Sequence, residues 1–274
     1  MNTVRVMSKN AAYQKFEVLR TNRNKRYRYG EFLVEGVRNI NQAIRNGWQF
    51  TSLLYSPETP LSRWAQEVLD TVSCDMHYQL SANLMQELSG KTDTSELLAI
   101  LRMRPDDPAL MHDSPCPLYI LFDRPSNHGN LGSIIRSADA LGADGLILTG
   151  HGGDLYQPEV ITASMGSFFN LPAIRMVDND TVFDWIARQR DLHPGFQVIG
   201  TTAHKQLNIT QVDFRLPTLL MIGNETEGLC RAFKEGCDLL ATIAMADTSS
   251  ASSFNVACAA TVMMYEVCRQ RAQE

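Results

Sequence analysis

The chain alternates short apolar runs with amphipathic segments, and the alternation is cleanest in its second half. "PLYILFD" (117–123) is a continuous apolar run, as expected of a strand covered on both faces. Similar runs are "DGLILTG" (144–150), "AIRMV" (173–177), "FQVIGTT" (196–202), "PTLLMIGNE" (217–225) and "LLATIAM" (239–245). A helical pattern occupies "NLGSIIRSADALG" (130–142), and a closing helix spans about Ser253 to Arg271. Strands of this kind alternating with helices predict a mostly parallel sheet sandwiched by helices. In the first half, "EFLVEG", "TSLLYS", "MHYQL" and "SELLAILRM" read as strands. Between them "VRNINQAIRNG", "SRWAQEVLDTV" and "SANLMQELSG" read as helices, the first stopped by Gly47. The stretch between the halves contains Pro105, Pro108, Pro115 and Pro117 and few core-forming residues. It reads as a linker over 105–117, dividing a smaller α/β domain, 1–104, from a larger one, 118–274.

Composition narrows the classes. With 44% hydrophobic and 20% charged residues the chain can build a packed core. Its apolar runs are too short to cross a bilayer, and "MNTVRVMSKN" lacks the apolar centre of a signal peptide, so a cytoplasmic protein without membrane contact is expected. Six scattered cysteines without a CxxC pair read as reduced thiols, and the six histidines form no ligand-spaced cluster, so no metal is expected. The net charge of −5 conceals an asymmetry: residues 1–50 carry ten Lys+Arg against three Asp+Glu. A polyanion partner for that segment is implied.

Three strand ends carry candidate chemistry. In the 130–142 helix, Leu131, Ile134, Ile135, Ala138 and Leu141 share one face at 100° per residue. Arg136 lies opposite, with Gly132, Ser133 and Ala140 nearby and Asn130 as the expected N-cap. Helical side chains lean toward the N-terminus, which aims Arg136 at the carboxyl edge of the preceding strand, where α/β sheets bind ligands. A capped helix with a solvated arginine accounts for this segment equally well. "LLMIGNETEGL" (219–229) brings Gly223, Asn224, Glu225, Gly228 and Leu229 to the same edge, although an ordinary strand-to-helix turn would look similar. "IAMADTSSASSFNVACAATVMMYEV" (243–267) places Ser253 or Asn255 at a helix start, which a plain cap also explains. GxGxxG and Walker A fingerprints are absent.

Taken in order, "NLGSIIRSADALGADGLIL", "LLMIGNETEGL" and "SFNVACAATVMMYE" resemble the three motifs of the SpoU/TrmH family of RNA ribose 2'-O-methyltransferases, in the SPOUT superfamily. The similarity covers 118–270, and the intervening "ASMGSFFNLP" also fits. "FLVEGVRNINQAI" resembles that family's accessory substrate-binding domain, which is similar to a ribosomal RNA-binding protein fold. The resemblance implies an α/β domain closed by a trefoil knot, a homodimer with active sites at the subunit interface, and S-adenosyl-L-methionine as cofactor. It carries catalytic roles onto Asn130, Arg136, Glu225, Ser253 and Asn255. It carries cofactor contacts onto Thr201, Thr202, Ile222, Gly223, Asn224, Gly228, Ile243, Met245, Ser253, Phe254 and Asn255. Ala244 stands where the family usually has Pro, Phe254 where it usually has Leu, and the loop before Ser253 is about two residues longer.

The reaction so implied is in-line methyl transfer to a ribose hydroxyl of rRNA or tRNA, governed by alignment in a dry pocket. A guanidinium is a poor base, so Arg136 is read as stabilising the developing alkoxide and holding a phosphate, with Glu225, Ser253 or water receiving the proton. "RTNRNKRYR" (20–28) suggests RNA contact through Arg20, Arg23, Lys25, Arg26, Arg28 and, further on, Arg38, with Tyr27 able to stack on a base. A solvated basic turn is the plainer reading of that run alone. The alternative for the whole chain is a catalytically silent RNA-binding protein that keeps the fold.

Overall fold

A computed structural model describes residues 2–91, 93–204 and 206–272. The chain forms two compact units, one of Met1–Arg104 with Tyr156–Asn170, the other of Pro105–Leu155 with Leu171–Glu274.

The first unit runs β1 (Thr3–Val6), α1 (Ala11–Thr21), α2 (Arg23–Tyr29), β2 (Glu31–Glu35), α3 (Val37–Arg45), β3 (Phe50–Tyr55), α4 (Arg63–Thr71), β4 (Met76–Leu80), α5 (Ala82–Leu88) and β5 (Leu97–Arg102). The sheet order is β1-β4-β3-β5-β2; β4 pairs parallel with β1 and β3, whereas β5 pairs antiparallel with β3 and β2. α1, α2, α4 and α5 start where Asn10, Asn22, Ser62 and Ser81 accept a first-turn backbone N–H. Tyr13, Phe16 and Leu19 recur at helical spacing along α1 and pack with Leu84, Met85 and Leu88 of α5 over Leu33, Leu54 and Leu98. Residues 3–29 are therefore largely folded: β1, α1 and α2 add to the predicted pattern. The segment 156–170 joins this unit through aromatic packing. Phe32 lies 4.8 Å from Tyr156, Trp48 lies 5.4 Å from Phe168, and Trp48 Nε1 donates to the Phe169 carbonyl at 2.9 Å.

The second unit contains β6 (Leu118–Phe122), α6 (His128–Ala140), β7 (Gly145–Leu148) and, after the excursion that holds α7 (Pro158–Ala163), β8 (Ala173–Arg175), α8 (Asn179–Leu192), β9 (Gln197–Thr201), β10 (Leu207–Asn208), β11 (Thr218–Ile222), α9 (Arg231–Gly236), β12 (Leu239–Thr242) and α10 (Val256–Arg271). Its seven-stranded sheet has the order β10-β12-β9-β11-β6-β7-β8, and every pair is parallel. One face is covered by Val182, Trp185 and Ile186 of α8 and Phe233 of α9, packed on Tyr119, Leu121, Val198, Leu219 and Met221. The alternate residues Ile120, Phe122 and Leu220 are also buried, as are Leu131, Ile134, Ile135 and Ala138 of α6. Burial on both faces is why these strands read as unbroken apolar runs. α10 lies against α6, where the Ser137 and Thr261 hydroxyls meet at 2.7 Å. Residues 105–117 pack within this unit: Met111 is buried and His112 N donates to the Asp144 carbonyl at 2.9 Å. Among the described residues no helix is long and apolar enough to cross a membrane, and the six cysteines are free.

Candidate active site

The strand order sets β12, β9 and β11 side by side, so the loops leaving their carboxyl ends are neighbours. These loops, the segment Ser252–Phe254 and the first turns of α10 enclose a cavity of ≈ 340 Å³. Thr201, Thr202, Ile222, Gly223, Asn224, Gly228, Ile243, Met245, Ser253 and Phe254 all line it, as do Leu229 and Met263. The wall after β11 is a tight hairpin in which Asn224 N donates to the Gly228 carbonyl at 3.1 Å and Gly228 N returns a bond at 3.0 Å. Gly223 is required beside it: a Cβ there would stand 2.3 Å from Leu229 N and 2.4 Å from the Gly228 carbonyl carbon.

Asn255 stands outside this lining. It is the N-cap of α10, its Oδ1 accepting from Ala257 N at 2.9 Å and Cys258 N at 3.3 Å. Its Nδ2 donates to Asn130 Oδ1 at 3.2 Å. Asn130 Nδ2 in turn reaches Glu225 Oε1 at 3.5 Å. Three separated segments thus meet in one chain of polar contacts, Asn255–Asn130–Glu225. The N-cap of α6 is Asn127, not Asn130: Asn127 Oδ1 accepts from Asn130 N at 2.9 Å. His128 and Gly129 extend the helix at its start, which places Asn130 in the first turn and turns its side chain to the two partners instead of the backbone.

Glu225 binds the loop that precedes α6. Its Oε2 accepts from Ser126 N at 3.1 Å and Ser126 Oγ at 2.8 Å, and its Oε1 accepts from Asn127 N at 3.0 Å. Burial pushes the carboxyl up, but the bonds from its own backbone, Ser126 and Asn127 outweigh burial and hold it below the usual carboxylate range. A carboxylate so satisfied is an anchor and a weak proton acceptor.

Arg136 is exposed on α6, does not line the cavity, and makes no hydrogen bond or ion pair with any described residue. Gly132 is buried, whereas Ser133 and Ala140 share the exposure of Arg136. The neighbouring α10 and the loop before it expose apolar side chains too: Phe254 is 47% exposed, Val262 41% and Tyr265 58%.

The basic run divides. Arg26 is buried, its Nη1 donating to the Leu19 and Arg20 carbonyls at 2.9 and 3.0 Å and its Nη2 to Gln157. It closes the carboxyl end of α1, which corrects its assignment to an RNA surface. Arg20 Nη1 similarly donates to the carbonyls of Glu87, Leu88 and Ser89 at 3.1 to 3.2 Å, covering the end of α5. Tyr27 is half-buried, with the Arg23 guanidinium 5.7 Å from its ring. Arg28 and Arg38 are exposed, and Lys25 is half-exposed.

Sequence reading overlooked several lining residues, namely His204, Glu227 and Lys234. Position alone would have found the first: His204 follows Thr201–Thr202 off the same strand end. No trio of His, Cys, Asp and Glu able to hold a metal occurs among the described residues.

Residues 117–265 match the SpoU rRNA Methylase family, and residues 10–99 match the SpoU L30e-like domain. A 23S rRNA (uridine(2479)-2'-O)-methyltransferase of Streptomyces viridochromogenes is 45% identical over 97% of this chain and 92% of its own length. A 23S rRNA (guanosine-2'-O-)-methyltransferase, RlmB, of Coxiella burnetii is 30% identical over 74% of each chain. The crystal structure of the SpoU methyltransferase AviRb from Streptomyces viridochromogenes, in complex with AdoMet, superposes with a TM-score of 0.91 at 44% identity, covering 96% of this chain and 98% of that one.

Proposed function

Because the chain belongs to the SpoU rRNA methylase family, we infer that it transfers a methyl group from S-adenosyl-L-methionine to a ribose 2'-hydroxyl of ribosomal RNA. The observation that carries this reading is the convergence of three strand-end loops on one cavity beside the Asn255–Asn130–Glu225 contacts. The cavity suits the cofactor: Ile222, Leu229, Met245 and Met263 offer an apolar bed, backbone edges of the loops offer donors and acceptors, and Lys234, His204 and Glu227 offer charge or polarity for a zwitterionic tail. When bound, S-adenosylmethionine supplies an electrophilic methyl on a sulfonium.

The chain's own groups do the rest. Glu225, kept ionised, fixes the loop before α6 and through Asn130 the helix that carries Arg136. Arg136 retains all its donors for a phosphate and for the developing ribose alkoxide. Ser253, at the cavity wall, or water receives the hydroxyl proton. The exposed faces of α6 and α10 form the contact of a homodimer, and the active site is completed there. A trefoil knot at the carboxyl end, cytoplasmic residence, and a division into an RNA-binding domain (1–104) and a catalytic domain (118–274) belong to the same reading. Arg23, Lys25, Arg28 and Arg38 are its RNA contacts.

Arg136→Ala tests it. Calorimetry should find S-adenosylmethionine affinity within about twofold of the parent, while turnover falls at least about 10²-fold. Binding of RNA with no cofactor binding by the parent chain would favour a catalytically silent protein, and undiminished turnover in the variant would remove Arg136 from the chemistry.

A further inference from the structure

The ion pairs and hydrogen bonds at the end of β6 form a second brace on the cavity wall. Asp123 is buried, and its Oδ1 accepts from the Thr149 hydroxyl at 2.8 Å and from Arg124 Nε at 3.1 Å. Its Oδ2 accepts from Cys230 N at 2.7 Å and Arg124 Nη2 at 3.2 Å. Arg124 therefore leaves the strand with its guanidinium already oriented. From there Nη1 reaches Glu227 Oε2 at 2.6 Å and Nη2 the Gly228 carbonyl at 3.2 Å, while the Arg124 carbonyl accepts from Asn224 Nδ2 at 2.7 Å. All three partners belong to the hairpin that walls the cavity, yet Arg124 itself does not line it. Its backbone is held at φ 49°, a left-handed conformation that a non-glycine residue keeps only where its surroundings impose it. The glycine loop after β7 packs closely against this turn: a Cβ at Gly150 would stand 2.6 Å from Arg124 Cγ, and one at Gly152 2.6 Å from the Pro125 carbonyl oxygen.

The geometry points to Arg124 as a positioning residue that sets the shape of the Asn224–Gly228 hairpin, and so the affinity of the cavity for its methyl donor. This rests on the methyltransferase reading given above. Glu225 ties the same hairpin to the loop before α6, so the hairpin is fixed from two directions, and Arg124 is the tie that reaches its Gly228 end.

Arg124→Lys keeps a cation beside buried Asp123 but cannot span Asp123, Glu227 and Gly228 with a rigid fork. Amide hydrogen exchange at Asn224 and Gly228 should speed up at least about fivefold in this variant, with β6 and β11 unchanged, because only the hairpin has lost its tie. Calorimetry should show S-adenosylmethionine binding weakened about tenfold, the loss expected for one charged hydrogen bond, with RNA affinity unaltered. Glu227→Gln, which removes one exposed anchor and leaves the buried pair intact, is read by exchange alone because Glu227 itself lines the cavity, and it should speed exchange at Asn224 and Gly228 by a smaller factor. If the parent chain binds no S-adenosylmethionine, the functional reading fails. If the parent binds, Arg124→Lys matches it in affinity and both variants match it in exchange, the positioning role of Arg124 fails.

Discussion

Replacing Glu225 by Gln removes one of two carboxylate oxygens from an array of four donors. In the folded protein Oε2 faces Ser126 N and Oγ, and Oε1 faces Asn127 N and Asn130 Nδ2. The glutamine carbonyl can serve one pair, and its NH₂ must then point at donors. At least one backbone N–H is left unpaired, at about 1–3 kcal/mol, and partial exposure of the site places the cost near the lower end. For a unit of this size that is about 2–4 °C of melting temperature per kcal/mol. The pH dependence gives a sharper check. The folded carboxyl titrates below its ordinary value, so its contribution is fully present above the unfolded value near about 4.3 and is lost as pH falls through the depressed folded value. The gap between parent and Glu225→Gln should therefore be constant near neutrality and close on acidification. Calorimetric melts from pH 7 down to about pH 3 read it directly. A variant that melts with the parent at pH 7, or a gap that widens toward acid, would refute the anchoring role.

Other substitutions separate structure from function. Arg26→Ala should lower the melting temperature of the first unit, since two carbonyls at the end of α1 and Gln157 lose a donor, and leave the salt dependence of RNA binding unchanged. The triple change of Arg23, Lys25 and Arg28 to Ala should do the reverse, weakening RNA binding and flattening its slope against salt in a filter-binding titration. Asn255→Ala should cost about 1 kcal/mol through the lost cap of α10, measured by chemical denaturation, and should also reduce turnover because Asn130 loses a partner.

The parallel sheet was legible because its strands are buried on both faces, which makes runs such as "LYILF" and "TLLMI" hard to mistake. The residues that line the cavity were legible by a different route: position at strand ends, sharpened by family resemblance. Much of the remainder depends on contacts distant in sequence. α1 carries its apolar residues at Tyr13, Phe16 and Leu19 among charged neighbours, and the local surplus of basic residues masked that stripe. The two asparagines three residues apart, Asn127 and Asn130, are equally good caps locally, and only the position of Glu225 separates their roles. Nothing local marks Arg26 as interior, because the carbonyls and the glutamine that neutralise its burial cost come from α1 and from residue 157. The packing of Phe168 and Phe169 on Trp48 spans about 120 positions, beyond any pattern of periodicity.

The central claim, a ribose methylation centre beside the strand-end cavity, is tested most directly by isotope. Large-subunit ribosomal RNA is incubated with the protein and S-adenosylmethionine bearing a deuterated methyl group, then digested to nucleosides and analysed by mass spectrometry. The expected result is deuterated methyl on the ribose 2'-oxygen of a single nucleotide type, absent with Arg136→Ala. Label on a nucleobase, or none in the presence of demonstrated cofactor binding, would contradict it.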